Sequence, residues 1–472
     1  MHSTYILFIA DMFLCLGAVL FTIESVRERE HRAPKIGAAG IVFSMVLGFA
    51  ILWIPSLRPV IATGFAVCGA AGLALLLPFK SGHKALQGAR GHVTGHTKRF
   101  DERDSVFARC RVTGGGAEIY RRYYDSHSER EQPDAERRQK GFLGVPGKID
   151  RSYRPHVAMM DAAFDMPDYV GPYAAAIPSP ESSRSELDAR TATHIVKNFA
   201  RHLGADMVGV CNVDPLWIYS HRGEIHDGNW ERWGEELQDV PPYAVVIATE
   251  MNWEHVSAAP HTPSVAESAH EYAKGAYLST LLARWFAYMG YRGIAQHTRH
   301  YDTLLVPLAV DAGLGELGRM GYLMTSKYGP RVRLFAILTD MPLVSDSPIS
   351  IGADEFCRRC KKCAESCPSR SIPSGEKVLC NGVEKWKIDA DGCFDYWRKV
   401  GTDCAICMSV CPYARPDTLL HKSVRRVLAR SRPAQIIFPA IDNLLYGKTW
   451  KPRSVSDWLD YPTSREAQKE RY

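Results

Sequence analysis

Two cysteine-rich stretches, CRRCKKCAESCP (Cys357–Pro368) and CAICMSVCP (Cys404–Pro412), decide the fold of the C-terminal part of the chain. The first has the spacing C-x2-C-x2-C-x3-C-P, in which three thiolates bind one [4Fe–4S] cluster and the fourth reaches a second cluster. The second stretch supplies three more cysteines by a shifted spacing and also ends in proline. We therefore expect a bacterial-ferredoxin-like domain with two [4Fe–4S] clusters over residues 346–432.

The spacing divides eight cysteines into two sets of ligands. The expected sets are Cys357, Cys360, Cys363 and Cys411 for one cluster, and Cys367, Cys393, Cys404 and Cys407 for the other. Cys380 is an alternative to Cys393, because both lie upstream of the second stretch. Zinc sites prefer isolated C-x2-C pairs, and disulfides are disfavoured in a reducing compartment.

Three apolar runs open the sequence: Thr4–Ile23, Ile36–Ile54 and Pro59–Phe79. Each is about 20 residues long, which as a helix spans the hydrocarbon layer of a bilayer. Asp11 is an acid inside the first run, and such an acid usually faces a partner or a cavity. Residues 1–80 are therefore expected to form an anchor of three transmembrane helices.

Basic residues indicate the orientation of this anchor. The loop after the first run carries Arg27, Arg29, Arg32 and Lys35, whereas the next connection carries only Arg58. Basic residues also follow the third run. Because cytoplasmic loops are enriched in Lys and Arg, we expect the N-terminus outside and the catalytic part in the cytoplasm.

Length and charge limit the other functions of the chain. With 472 residues, it is too long for one compact core and predicts two or three units. The formal net charge of +6 comes from 58 basic and 52 acidic residues spread along the sequence, and it gives no argument for nucleic-acid binding.

The middle of the chain changes character near residue 188. Residues 81–155 are polar and contain Gly114-Gly115-Gly116, so we expect a wrapping or linker segment with few regular elements. Residues 156–345 show an α/β pattern of apolar periodicity. The expected elements are helices at 192–203 and 266–291 and strands at 207–213, 243–249, 304–308 and 331–339.

Several blocks of sequence resemble the reductive dehalogenase family, whose members depend on a corrinoid and iron–sulfur clusters. These blocks are TKRFDERDSVFAR (Thr97–Arg109), YAKGAY (Tyr272–Tyr277) with MGY (Met289–Tyr291), GLGELGRMGYLMTSKYGPRVRLFAILTDMPL (Gly313–Leu343) and WKIDADGCFDYWRKVGTDCAICMSVCP (Trp386–Pro412). The chain is more distantly similar to epoxyqueuosine reductases, in which an acid stands where this chain has Tyr277. The twin-arginine leader of exported members is absent, and the three apolar runs suggest a membrane-anchored variant.

The resemblance implies a fold and a cofactor. Residues 156–345 would form an α/β nitroreductase-like core that binds a corrinoid (cobalamin, base-off), followed by the cluster domain and a C-terminal tail at 433–472. Glycines allow the backbone to approach a large flat ligand closely. Candidate corrinoid contacts are Gly315, Gly318, Gly321 and Thr325.

The resemblance also implies a proton donor. We expect Tyr277 to donate the proton to carbon, with Arg331 as the guanidinium that stabilises the negative charge developing on the phenol oxygen. Arg333 is the rival for that role. Tyr301 stands where family members have an Asn that assists the donor.

The leading expectation is a membrane-anchored oxidoreductase that removes halogen from an organohalide, with electrons from an unknown low-potential donor passing through two [4Fe–4S] clusters. One alternative is a related corrinoid reductase of a non-halogenated substrate, similar to epoxyqueuosine reductase. Another is a non-catalytic electron-transfer subunit of the membrane. The sequence leaves open the organohalide, the oligomeric state, and whether cobalt attacks halogen or carbon.

Overall fold

The computed structural model describes residues 2–78, 84–139, 154–179, 183–401 and 403–453. The chain divides into two compact units. The first contains Met1–Ser81, Ile351–Cys360 and Asp417–Trp450, and the second contains Gly82–Ser350, Lys361–Pro416 and Lys451–Tyr472. This division cuts across the expected cluster domain at 346–432, because parts of it group with the N-terminal helices.

The described residues form seventeen α-helices and nine strands. The helices are α1 (His2–Arg27), α2 (Ala33–Trp53), α3 (Arg58–Leu76), α4 (Val106–Arg111), α5 (Gly116–Tyr124), α6 (Ser128–Gln139), α7 (Arg154–Val170), α8 (Ala189–His202), α9 (Trp253–Ser257), α10 (Thr262–Tyr288), α11 (Leu305–Asp311), α12 (Ala353–Cys360), α13 (Lys362–Glu365), α14 (Ala390–Val400), α15 (Ile406–Ser409), α16 (Leu419–Leu428) and α17 (Arg432–Tyr446). The strands are β1 (Ala175–Ala176), β2 (Met207–Asn212), β3 (Tyr243–Glu250), β4 (Gly293–Gln296), β5 (Gly315–Leu317), β6 (Leu323–Thr325), β7 (Val332–Thr339), β8 (Val378–Cys380) and β9 (Val383–Lys385).

The first unit contains three helices long and apolar enough to cross a membrane: Ser3–Arg27, Ala33–Trp53 and Pro55–Leu76. The three predicted apolar helices are therefore confirmed. Asp11 is buried, and its Oδ1 accepts a hydrogen bond from Ser44 Oγ at 2.9 Å. That bond satisfies one polar oxygen that would otherwise be costly in hydrocarbon.

The second unit contains an antiparallel sheet of five strands in the order β1-β4-β7-β3-β2. Alternate residues of its strands enter two different cores, because side chains alternate between the faces of a sheet. Val245 and Ile247 pack into one core with residues of α8 and α10. Val246 and Ala248 pack into the other with residues of α11. Helices therefore cover both faces of the sheet.

Most expected elements of this unit are observed within a few residues, but the expected strand at 304–308 is wrong. Leu305–Asp311 is a helix whose Leu308, Ala309 and Val310 are buried against the sheet. A short apolar run is compatible with a buried strand or a buried helix, and periodicity alone cannot separate the two.

Residues 84–139 contain more regular structure than we expected, while the remainder of the expected linker at 140–153 lies outside the described residues. Helices α4, α5 and α6 form here. Tyr123, Tyr124 and Trp233 bury their rings in a small core, which explains why a polar segment folds.

The parts of the two cysteine stretches that lie in the second unit have the same local geometry. Lys361 and Ala405 have φ values of 55° and 53° and lie directly before the short helices α13 and α15. Each of these left-handed residues stands two positions before a cysteine, Cys363 or Cys407.

Candidate active site

Four cysteines of the second unit line one cleft: Cys367, Cys393, Cys404 and Cys407. Together with the solvent at its mouth, the cleft has an empty volume of about 620 Å³. Met320, Tyr322, Arg333 and Asp403 belong to the same lining. Four thiols around one space match the number of ligands that a [4Fe–4S] cluster takes.

Burial raises the pKa of the Cys393 thiol to about 11 and that of Cys404 to about 12. Burial also raises the pKa of Cys407 well above its usual range. These thiols therefore keep their protons at neutral pH until a metal displaces them, as expected for buried thiolate ligands of a metal centre.

Cys393 and Cys380 occupy different surroundings. Cys393 lies on α14 and lines the cleft, whereas Cys380 ends strand β8 of the two-stranded hairpin β8–β9 and is not among the residues lining the cleft. Cys363 and Cys411 are buried in the same unit, and Cys357 and Cys360 lie on α12 in the first unit.

Helix α14, which carries Cys393, is held by a buried charge network that sequence analysis missed. Arg109 of α4 donates through Nε to Asp134 Oδ2 at 2.9 Å and through Nη2 to Asp391 Oδ1 at 2.6 Å. Arg109 is 5% exposed and Asp134 is fully buried. Arg137 of α6 adds bonds to Asp134 and Asp395. Ion pairs from the 84–139 segment thus hold α14, the helix that carries the candidate ligand Cys393; we call this network the clamp on α14.

Three tyrosines lie around Arg333. The Arg333 guanidinium lies over the ring of Tyr272 of α10, with its carbon 4.7 Å from the ring centroid. Tyr301 and Tyr322 are close enough to interact electrostatically with both Tyr272 and Arg333. Tyr322 also interacts with Cys393 and Cys407. The phenols and the thiols therefore share one site.

Burial raises the pKa of Tyr301 and the pKa of Tyr322 well above the ordinary value of a phenol. For both groups the positive charge of Arg333 acts in the opposite direction. Both phenols thus remain protonated at neutral pH and can donate hydrogen bonds.

The predicted donor and its first partner lie in other environments. Tyr277 of α10 is 45% exposed. Arg331 is fully buried, and its guanidinium donates to the carbonyls of Ala414 and Met251 and to Glu250. These bonds tie the turn after Cys411 to the end of β3, which is a structural role. Among the expected site residues, the structure brings Arg333 and Tyr301 together and adds Tyr272 and Tyr322.

The expected corrinoid contacts lie on a small hairpin. Gly315 pairs with Thr325 in β5–β6, and a Cβ at Gly315 would fall 2.0 Å from the Met324 carbonyl oxygen. The Thr325 hydroxyl donates to Gly329 O and accepts from Tyr328 N, each at 3.0 Å. A Cβ at Gly318 would meet Met324, and one at Gly321 would meet Ile388. The chain itself therefore accounts for these residues, and their contact with a cofactor stays a prediction.

Two buried polar atoms without a hydrogen-bond partner belong to residues shortly before Tyr301 in the chain. His297 is fully buried, and its Nε2, like Thr298 Oγ1, has no hydrogen-bond partner among the described residues. Burial lowers the pKa of His297 to about 3, so its ring is neutral. Buried polar groups are normally satisfied, and these two atoms lack the partner that such groups usually have.

A further group on α10 brings together ligand atoms of Glu267, His270 and Glu271 within 4.8 Å. Glu267 accepts from Asn252 N at 2.6 Å and binds His255 at 2.6 Å. Ion pairs within the chain thus already engage these carboxylates, and we assign no metal to them.

Comparisons with known proteins extend these observations. Residues 356–414 match the family model described as "4Fe-4S dicluster domain", which confirms the predicted cluster domain. The chain is 32% identical over 286 residues to tetrachloroethene reductive dehalogenase of Sulfurospirillum multivorans, covering 54% of this chain and 57% of that protein. It is 28% identical over 113 residues to epoxyqueuosine reductase of Lactococcus garvieae (strain Lg2), covering 23% of this chain and 31% of that protein. The predicted family resemblances are confirmed.

Among solved structures, the catabolic reductive dehalogenase NpRdhA matches with a TM-score of 0.60 at 23% identity, covering 80% of this chain and 53% of that chain. The chain therefore has the fold of that enzyme. It spans somewhat more than half the length of these two reductive dehalogenases.

Sequence analysis missed Tyr272, Tyr322 and Asp403 as site residues. Tyr272 and Tyr322 stood inside the quoted blocks YAKGAY and GLGELGRMGY, and Asp403 directly precedes Cys404. The helical period of α10 could have distinguished Tyr272 from Tyr277, because residues five positions apart lie on different faces of a helix.

Proposed function

We propose that this chain is a membrane-anchored reductive dehalogenase that removes halogen from a small organohalide, using a corrinoid and two [4Fe–4S] clusters. The observation that carries the proposal is that Tyr322 and Arg333 line the same cleft as four cysteines and also belong to the phenol group around Tyr272. A site for electrons and a site for a proton thus adjoin, as reduction of a carbon–halogen bond to carbon–hydrogen requires. The similarity to tetrachloroethene reductive dehalogenase supports the substrate class.

The reaction consumes two electrons and one proton, replaces the halogen on carbon by hydrogen, and releases halide. A bound corrinoid would supply a strongly reducing cobalt centre for the cleavage. We further propose that the five-stranded sheet and its helices form a nitroreductase-like core that holds this corrinoid base-off. His297 and Thr298 would receive its polar side chains, as their unsatisfied buried atoms suggest.

Tyr272 takes the role of proton donor in this proposal, in place of Tyr277. Arg333, 4.7 Å from the Tyr272 ring centroid, would stabilise the negative charge that develops on the phenol oxygen as the proton leaves. Tyr301 and Tyr322 would stay protonated and orient the substrate by donating hydrogen bonds. Their apolar ring faces would exclude water from the carbon that receives the proton.

The proposed ligands of the two clusters are the sets that the sequence predicts, with Cys393 completing the second set. Cys393→Ser should reduce the iron content of anaerobically purified full-length protein from about eight per chain and change its low-temperature EPR spectrum. Cys380→Ser is the matched control and should keep both the iron and the spectrum. Loss of iron in the Cys380 variant with full iron in the Cys393 variant would reverse the assignment.

The activity test uses the full chain, solubilised in detergent under strict anaerobiosis and loaded with cobalamin. We expect about eight iron and one cobalt per chain and halide release from chlorinated or brominated alkenes or phenols with titanium(III) citrate as reductant. EPR of the cob(II)alamin form should lack nitrogen hyperfine splitting if the corrinoid is bound base-off. Fully loaded protein that releases no halide from this panel contradicts the proposal.

The same preparation distinguishes the alternatives. Reduction of an epoxyqueuosine-containing tRNA without halide release would identify the chain as a reductase of a non-halogenated substrate. Full iron content with no cobalamin binding would instead identify an electron-transfer subunit.

A further inference from the structure

Asp403 lies at the junction of the two halves of the candidate site. It directly precedes Cys404, and its side chain is 7% exposed. Its Oδ2 accepts a hydrogen bond from Arg333 Nη2 at 2.9 Å and another from the Ser268 hydroxyl. One carboxylate therefore contacts the guanidinium over Tyr272 while its backbone joins a cysteine of the cleft.

Ser268 links this carboxylate to the helix of the proposed donor. Its hydroxyl accepts from Arg333 Nη2 and donates to Asp403. Ser268 and Tyr272 are four residues apart on α10, so they lie on the same face of the helix. Asp403, Ser268 and Arg333 thus form a closed triangle of hydrogen bonds beside the Tyr272 ring.

The second oxygen of the carboxylate faces a different environment. Asp403 lines the cysteine cleft, and its buried Oδ1 has no hydrogen-bond partner among the described residues. Arg333 lines the same cleft, so both members of this ion pair form part of its wall. The position of Asp403 brings a negative charge to the wall of the space that the cluster would fill.

We propose that Asp403 is a positioning residue with two effects: it holds Arg333 over Tyr272, and its charge keeps the reduction potential of the cluster at Cys404 low. The first effect rests on the proposed function, whereas the second needs only the cluster. A buried guanidinium requires a hydrogen-bonded counter-charge to keep one geometry. The net charge around a cluster is one of the terms that set its potential.

The test of the second effect uses full-length protein with both clusters but without corrinoid. Asp403→Asn removes one negative charge and leaves the positive charge of Arg333 uncompensated, which favours the reduced cluster. The midpoint potential in an EPR-monitored titration should therefore become less negative. Asp239→Asn is the matched control, because Asp239 is 86% exposed and its loss changes the net charge by the same amount. Equal potentials in Asp403→Asn and wild type, or an equal shift in Asp239→Asn, overturn the proposed effect on the cluster potential.

The first effect is tested by halide release from the cobalamin-loaded protein. Asp403→Asn should lower kcat about 10- to 100-fold, as is typical for residues that orient others at metal centres, with KM unchanged. A rise in KM at constant kcat would overturn the positioning role. If wild type itself releases no halide, the proposed function fails, while the potential titration still decides the electrostatic effect.

Ser268→Ala keeps the Asp403 carboxylate. This variant tests the positioning role if Asp403→Asn does not assemble its clusters. It removes one hydroxyl of the triangle, so kcat should fall about twofold to tenfold while the cluster potential stays at the wild-type value. Unchanged kcat in this variant contradicts the positioning role.

Discussion

Tyr272 and Tyr277 are five residues apart on α10, and this spacing separates their surroundings. Five residues rotate a helix by about 140° relative to its starting direction. Tyr272 packs edge-on against Phe335 of β7, with ring centroids 6.4 Å apart, and lies under Arg333. Tyr277 is 45% exposed. One residue faces the sheet and the other faces away from it.

We predict that Tyr272→Phe lowers kcat for halide release about 10²- to 10⁴-fold, the usual contribution of a positioned proton donor. Cobalamin and iron contents should stay at the wild-type level, because the variant loses only a hydroxyl. Tyr277→Phe is the matched control and should retain wild-type kcat. Loss of activity in Tyr277→Phe with full activity in Tyr272→Phe would return the donor role to Tyr277.

At the scale of secondary structure elements, Gly275 fixes how closely α10 approaches β7. A Cβ at this position would fall 2.0 Å from two ring atoms of Phe335. The helix therefore packs directly on the strand that carries Arg333, one turn away from Tyr272. The distance between the proposed donor and its guanidinium depends on this glycine.

Gly275→Ala should lower both the thermal unfolding midpoint and kcat. Overpacking a buried contact costs about 1–3 kcal/mol, occasionally more, and here the overlap involves several ring atoms of the fully buried Phe335. This cost exceeds the gain of about 1 kcal/mol in helix propensity. Gly375→Ala is a suitable control, since its Cβ would meet no atom within 4 Å. An unchanged midpoint and kcat in Gly275→Ala would contradict this reading of the helix–strand contact.

The clamp on α14 is a second feature of this scale. Arg109→Ala leaves Asp134 and Asp391 without one guanidinium, and removing one partner of a buried ion pair typically costs about 3–5 kcal/mol. We expect a lower unfolding midpoint and reduced iron content, measured by calorimetry and iron assay, because α14 carries Cys393.

Arg111→Ala on the same helix is the control for this clamp. Arg111 is 36% exposed and pairs with Glu224 at 3.2 Å. Glu224 is only 14% exposed, but water screens the more exposed Arg111 guanidinium. The loss of stability should therefore be smaller than for Arg109→Ala, and iron content should change little. Equal effects of the two variants would show that α4 matters only through its packing.

For the whole molecule, the three apolar helices predict an integral membrane protein with its catalytic part in the cytoplasm. The full chain expressed in bacteria should stay in the membrane pellet after extraction with alkaline carbonate. A C-terminal green fluorescent protein should be fluorescent, and a C-terminal alkaline phosphatase should be inactive, because the basic loop at residues 24–35 stays inside.

The basic side chains of that loop provide the control for orientation. Replacing Arg27, Arg29, Arg32 and Lys35 by alanine removes the basic residues of this loop, while those after the third run remain. The weaker charge bias should raise phosphatase activity and lower fluorescence. Release of the wild-type chain by carbonate, or active phosphatase on the wild-type chain, contradicts the predicted topology.

The sequence by itself determined those features that depend on spacing along the chain. Cysteine spacing predicted the cluster domain, run length predicted three apolar helices, and apolar periodicity predicted β2, β3, β7, α8 and α10 within a few residues. Each of these features is encoded in one local segment and does not depend on contacts with distant residues.

Tertiary structure alone decided which residues of those segments meet. It brought Arg333 rather than Arg331 to Tyr272, directed Tyr272 rather than Tyr277 toward β7, and set Cys393 rather than Cys380 in the cleft. It also joined Asp403 to Ser268, 135 positions away. Such pairs depend on how helices pack on the sheet, and packing arises from many side-chain contacts across the fold that no local pattern specifies.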